Sequence, residues 1–164
     1  MKLLLLITAL VVTQDVSAQA AHVGASIALA EPAVSCALHL QTDGDFGSVR
    51  WSSSDIVLDP TGIRGAPGTF SFTGTHASAF AVQITFPPAL AGKGALLPWR
   101  GAWAQSLTPH TGFAPIAGAT YQRENLSATS FAYYFRVGGT VSGPTHHATP
   151  GVYRAKIAVA AMCH

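Results

Sequence analysis

From residue 22 onward, apolar and polar side chains alternate with a period of two, and no stretch sets apolar residues at helical spacing over three turns. Val23, Ala25, Ile27 and Leu29 face one way and His22, Gly24, Ser26 and Ala28 the other, until Glu31-Pro32 breaks the run. Val34, Cys36, Leu38 and Leu40 make the apolar row of a second strand, which ends at the turn Thr42-Asp43-Gly44-Asp45. Short strands are expected over Phe46–Trp51 and Asp55–Leu58, separated by Ser52-Ser53-Ser54. Asp59-Pro60-Thr61-Gly62 then reads as a turn. Phe70 and Phe72 belong to a strand closed by Gly74. The strongest alternation, Phe80, Val82, Ile84 and Phe86, stops at Pro87-Pro88, because proline cannot donate to a ladder.

The stretch Ala89–Ser130 is rich in Gly, Pro and Ala, with Trp99 and Trp103 as its anchors, so weaker edge strands and a long loop are expected there. Phe131, Tyr133, Phe135 and Val137 alternate up to Gly138-Gly139. Tyr153, Ala155, Ile157, Val159, Ala161 and Cys163 share one face of a last strand. Strands of about 5–9 residues divided by turns every 8–12 or so predict an all-β chain folded as a two-layer β-sandwich over residues 32–164.

The first 20 residues read differently. Met1-Lys2 followed by the apolar run Leu3–Val12 has the build of a secretory signal peptide, and it is too short to span a bilayer. Small-x-small cleavage sites lie at Val16-Ser17-Ala18 and Ala18-Gln19-Ala20, which leaves residues 21–31 as an N-terminal strand ahead of the sandwich. The mature protein is thus expected in the periplasm, on the cell surface or outside the cell. No later apolar run has the length of a membrane helix. Export also bears on the two cysteines, Cys36 and Cys163, which both fall on faces predicted to be buried. In an oxidising compartment such a pair reads as a disulfide. Closing a loop of about 126 residues is worth on the order of 4–5 kcal/mol in the chain-entropy model.

Composition argues against several chemistries. Only 10% of the chain is charged, and removing the leader with Lys2 and Asp15 leaves eight basic and six acidic residues. The basic residues are scattered singly from Arg50 to Lys156, so the clustered footprint of a nucleic-acid binder is missing. The six carboxylates, Glu31, Asp43, Asp45, Asp55, Asp59 and Glu124, lie mostly beside Gly, Pro or Ser, where Asx-turns are the simpler role. Neither a nucleophile elbow nor a phosphate-cradling glycine loop is present, and the chain is read as a non-enzyme.

Seven histidines raise copper or zinc as a third functional reading. His146 and His147 would need His110, His76 or His164 beside them, and no ligand spacing indicates that, so no metal or other cofactor is assigned. A copper site at an N-terminal His22 would need cleavage after Ala21, with Gln19 where a small residue is wanted. Trp99, Trp103 and Tyr121 form a candidate ligand platform for a binding module that recognises a glycan or a protein.

A set of short motifs resembles the bacterial secreted β-proteins of the domain of unknown function 4402 family, related to the spore coat protein U-like subunits of archaic chaperone-usher pili. They are the segment before Pro32, Asp45-Phe46-Gly47-Ser48-Val49, Pro60-Thr61-Gly62, Gly68–Gly74, Ala79-Phe80-Ala81-Val82, Phe135–Thr140 and Pro150-Gly151-Val152-Tyr153. Trp99–Arg123 and the ending Met162-Cys163-His164 depart from the pattern. The resemblance implies an immunoglobulin-like, pilin-like sandwich: a structural or adhesive subunit with other copies or related subunits, a periplasmic chaperone and an usher as partners. It also implies that the N-terminal strand, through Val23, Ala25, Ile27 and Leu29, is donated to a neighbour. Residues 22–29 have what such a donor needs: clean alternation, nearness to the N-terminus and a breaker behind. The same pattern equally fits an edge strand pairing within its own domain, and both arrangements stay open at this point.

Overall fold

Aromatic and branched apolar residues at every second position give three strands one strongly apolar face each, and these build the core. In the computed structural model, which describes residues 32–45, 54–62, 65–92, 95–143 and 149–164, the strands are β3 (Gly68–Thr75), β4 (Phe80–Thr85) and β9 (Ser130–Val141). Phe70, Phe72, Phe80, Tyr133 and Phe135 are buried together with Val82, Ile84 and Trp103. The Phe70 and Phe135 rings stack at 4.8 Å and those of Phe72 and Phe80 meet tilted at 5.2 Å, geometries that add to area burial.

Ten strands are described. The others are β1 (Ser35–Thr42), β2 (Ile56–Leu58), β5 (Ala89–Gly92), β6 (Ala95–Ser106), β7 (Ala114–Pro115), β8 (Thr120–Arg123) and β10 (Ala158–Cys163), and no helix occurs among the described residues. They form two antiparallel sheets. The larger follows the order β1-β3-β9-β6-β5, with β2 on β9 and β7 on β6; the smaller is β10-β4-β8. Their inner faces enclose the core, a two-layer β-sandwich as the alternation predicts.

The region from Ala89 to Ser130 corrects the sequence reading. It holds β6, a twelve-residue strand paired with β9 from Trp99↔Val141 to Ser106↔Tyr134, where weak edge strands and a long loop were expected. The inward row of β6 is interrupted by Gly101, which hides its alternation. That gap is filled from outside the strand, because a Cβ on Gly101 would run into the Phe86 ring. Pro98 is tolerated because it lies just before the β9 pairing begins and faces Ala89 of β5.

The last strand is also shorter than predicted. Residues 153–157 touch the larger sheet, where Ala91 and Arg154 form a bridge, and the chain then joins the smaller sheet as β10. Ile157 sits at this crossing and packs on both the main core and a second cluster of Leu90, Trp99 and Val141. Asp59–Gly62 is the turn expected. Its Asp59 carboxylate accepts bonds from the Thr61 amide at 2.8 Å and hydroxyl at 2.7 Å, which hold the carboxyl below its usual range. The predicted leader, the strand of residues 22–29, the expected strand from Phe46 and the His146-His147 pair lie outside the described residues.

Candidate functional site

Directly opposed residues of neighbouring strands share one face of a sheet. In β1, Leu38 stands opposite Phe72 and Leu40 opposite Phe70, and both phenylalanines are core residues. Leu38 and Leu40 therefore lie on the core face, as their spacing predicts. They are not covered: Leu38 is 41% and Leu40 76% exposed, whereas Phe72 beside them is 1% exposed. The smaller sheet repeats the pattern. Val159, Ala161 and Cys163 of β10 oppose Ile84, Val82 and Phe80, which are fully buried, while the β10 residues are only half-buried.

These two strands form the same side of the sandwich. β1 pairs only with β3 and β10 only with β4, and no strand among the described residues takes the second edge of either. The Cys36–Cys163 disulfide ties them together, with a Cα separation of 6.5 Å. Moving away from the bridge, β1 presents Leu38 and then Leu40, while β10 presents Ala161 and then Val159. Gly74 makes room at the bridged end, since a Cβ there would lie 2.9 Å from the Cys36 sulfur and strike the Phe131 ring.

The residues along these edges matter as much as their exposure. Sheet edges are ordinarily blunted by charge, proline, shortness or a covering segment. β8 is four residues long and ends in Arg123, whose guanidinium donates to the Tyr121 hydroxyl at 3.0 Å. β5 is also four residues long and is met by the Arg154 bridge. By contrast, β1 (Ser-Cys-Ala-Leu-His-Leu-Gln-Thr) and β10 (Ala-Val-Ala-Ala-Met-Cys) contain no lysine, arginine, carboxylate or proline. The outcome is a pair of uncharged strand edges with apolar side chains between them, a surface chemically suited to an added strand that has alternate apolar residues.

The ligand platform is corrected. Trp103 is 2% and Trp99 7% exposed, and Tyr121 packs on Phe80, Tyr133 and Phe135. Trp103 donates its indole N–H to the Gly118 carbonyl at 2.8 Å and stacks on Phe135. A stacking platform needs open ring faces, and the tryptophans spend theirs on the core. Burial pushes the Tyr121 phenol up, against the pull of the neighbouring Arg123 charge.

Among the described residues no three histidine, cysteine or carboxylate side chains gather into a metal-binding group, and no helix is long and apolar enough to cross a membrane. An open depression of about 400 Å³ beside the end of β8 is lined by apolar residues such as Leu107, Leu126 and Phe131 and by the polar Arg123, Glu124 and Asn125.

Alternation alone places Leu38 and Leu40 on the inner face but cannot show that nothing lies over them. The signal available in the sequence was the absence of charge along two strands that both carry a cysteine. No protein-family model matches the chain, and no curated protein matches it.

Proposed function

We propose that this protein is an exported structural subunit of pilin-like type, with an immunoglobulin-like sandwich whose open β1/β10 side accepts a strand from a neighbouring copy or related subunit. The observation that carries the reading is that two uncharged edges, bridged by Cys36–Cys163, leave core-facing Leu38 and Leu40 uncovered. Residues 22–29 are the proposed donor, and Val23, Ala25, Ile27 and Leu29 match the every-second-residue spacing of the inner faces they would cover. Fully burying Val23, Ile27 and Leu29 would supply roughly 5–8 kcal/mol before ordering entropy is charged. The disulfide accords with an oxidising compartment. In such a system a periplasmic chaperone would shield the open side until an usher exchanges it for the donor, and the subunit would serve adhesion at the cell surface.

Deletion of residues 19–30 tests this. The shortened chain should fold but with reduced stability, a synthetic peptide of residues 20–30 should raise its urea midpoint, and the intact mature chain should form ladders of oligomers on denaturing gels run without boiling. A shortened chain that folds with the same midpoint in urea with or without peptide would sink the proposal.

A further inference from the structure

The Cys36–Cys163 bond spans the two strands that border the open side, and among the described residues both strands are paired along one edge only. β10 is six residues long, its paired residues on β4 run from Ala158↔Thr85 to Cys163↔Phe80, and its outer edge has no strand on it among the described residues. β1 is paired to β3 over Ser35–Thr42 with a shift in register between Leu40 and Thr42. The bridge is therefore a covalent link between these two edges. Both cysteines lie on the inner face and both are half-buried, so the bridge borders the open side and is not sealed under the Phe72 and Phe80 rings.

We infer that the bridge and strand docking are thermodynamically coupled: the oxidised Cys36–Cys163 pair sets the spacing that lets a strand dock, and a docked strand in turn protects the pair from reduction. This rests on the strand-acceptor reading above. The coupling is reciprocal by linkage, since a bond that tightens docking by a given factor must itself be stabilised by docking by that factor. Reduction transfers two electrons from a dithiol, which closes to its cyclic disulfide, and two protons complete the Cys36 and Cys163 thiols. A free subunit would then be sensitive to thiol reductants and an assembled one resistant, so that subunits lacking the bond are kept out of the assembly.

The experiment uses the full mature chain as assembled, from which an excess of labelled synthetic peptide of residues 20–30 must displace the chain's own strand, so the affinities compared are apparent ones. Peptide affinity is measured by fluorescence anisotropy on the oxidised chain and on chain reduced with dithiothreitol. The fraction oxidised is followed in dithiothreitol buffers of graded potential, with and without saturating peptide, and by alkylation and mass spectrometry. Reduction should weaken peptide binding at least tenfold, and peptide should lower the midpoint potential of the bridge by about 30 mV for each tenfold of that change. Hydrogen exchange should show that reduction loosens β1 and β10 while the β3 and β9 amides stay protected. A Cys36→Val, Cys163→Ala double variant should stay folded and bind the peptide as weakly as the reduced chain.

If the oxidised chain neither forms oligomers nor takes the peptide, the acceptor reading fails and this inference falls with it. If oxidised and reduced chains bind alike and the midpoint does not move, the coupling is overturned while the acceptor reading stands. Loss of protection throughout β3 and β9 on reduction also overturns it, because the bond would then be a global staple and not a setting of the edge.

Discussion

Leu40→Ser separates the stability of the sandwich from the strand acceptance proposed for it. Complete burial of a leucine side chain is worth about 1.5–3 kcal/mol. With Leu40 76% exposed, only roughly 0.4–0.7 kcal/mol of that is already collected in the isolated subunit, so the urea midpoint should scarcely change. The remaining fraction, roughly 1.1–2.3 kcal/mol, is gained when a strand covers the residue, so at 1.4 kcal/mol per tenfold the variant should bind a peptide of residues 20–30 about 6- to 45-fold more weakly. Phe72→Ala, on the opposed residue that is 1% exposed, is the control: it should cost about 3–5 kcal/mol of stability. Isothermal titration and urea unfolding on the same preparations read both quantities. The reasoning is refuted if Leu40→Ser destabilises the subunit by more than about 1.5 kcal/mol, or if its peptide affinity equals that of the parent.

Three other outcomes follow from the packing. Gly139→Ala should lower stability by about 2–4 kcal/mol, because Gly139 sits at φ 152° and a Cβ there would strike the Arg100 carbonyl and the Trp99 indole nitrogen; thermal unfolding checks it. Trp99→Ala should cost about 3–5 kcal/mol in urea unfolding, with loss of the second cluster built on Leu90 and Val141, and glycan arrays should show no binding lost with it. Asp59 titrates below its usual range because the Thr61 hydroxyl and amide stabilise its charge, so its contribution to stability is present above the unfolded carboxyl pKa and fades as pH falls through the folded value. Thr61→Ala should move the Asp59 titration upward in NMR, and an unmoved curve would contradict that cause.

The sequence made the faces of strands legible but not their cover. Phe70, Phe72, Phe80, Val82, Ile84, Tyr133 and Phe135 could be placed inward because a period of two fixes which side each residue takes. β6 escaped detection because its inner row reads Trp99, Gly101, Trp103, and the ring that fills the gap, Phe86, comes from just beyond β4. The run from Tyr153 to Cys163 keeps one parity throughout, yet its first half meets Arg154's partner Ala91 in the larger sheet and its second half belongs to the smaller one. Alternation contains no record of sheet membership, so the crossing at Ile157 was not visible. The Cys36–Cys163 pairing was readable from the expected export and from the parity of the two cysteines; that it borders an open side was not.

The two magnitudes on that side of the sandwich bear on why an open edge and a disulfide occur together. Leaving Leu38 and Leu40 exposed at 41% and 76% forgoes roughly 2–3.5 kcal/mol of burial. A bridge across a separation of 127 residues returns on the order of 4–5 kcal/mol by restricting the unfolded chain. Since a domain is stable by only about 5–15 kcal/mol, either quantity alone is a large share of the balance, and the second offsets the first. Repacking the edge with further apolar residues would also restore stability, but it would close the opening. Cross-linking β1 to β10 stabilises the fold through the unfolded state and leaves the inner faces of both strands uncovered, which is what the proposed strand acceptor requires.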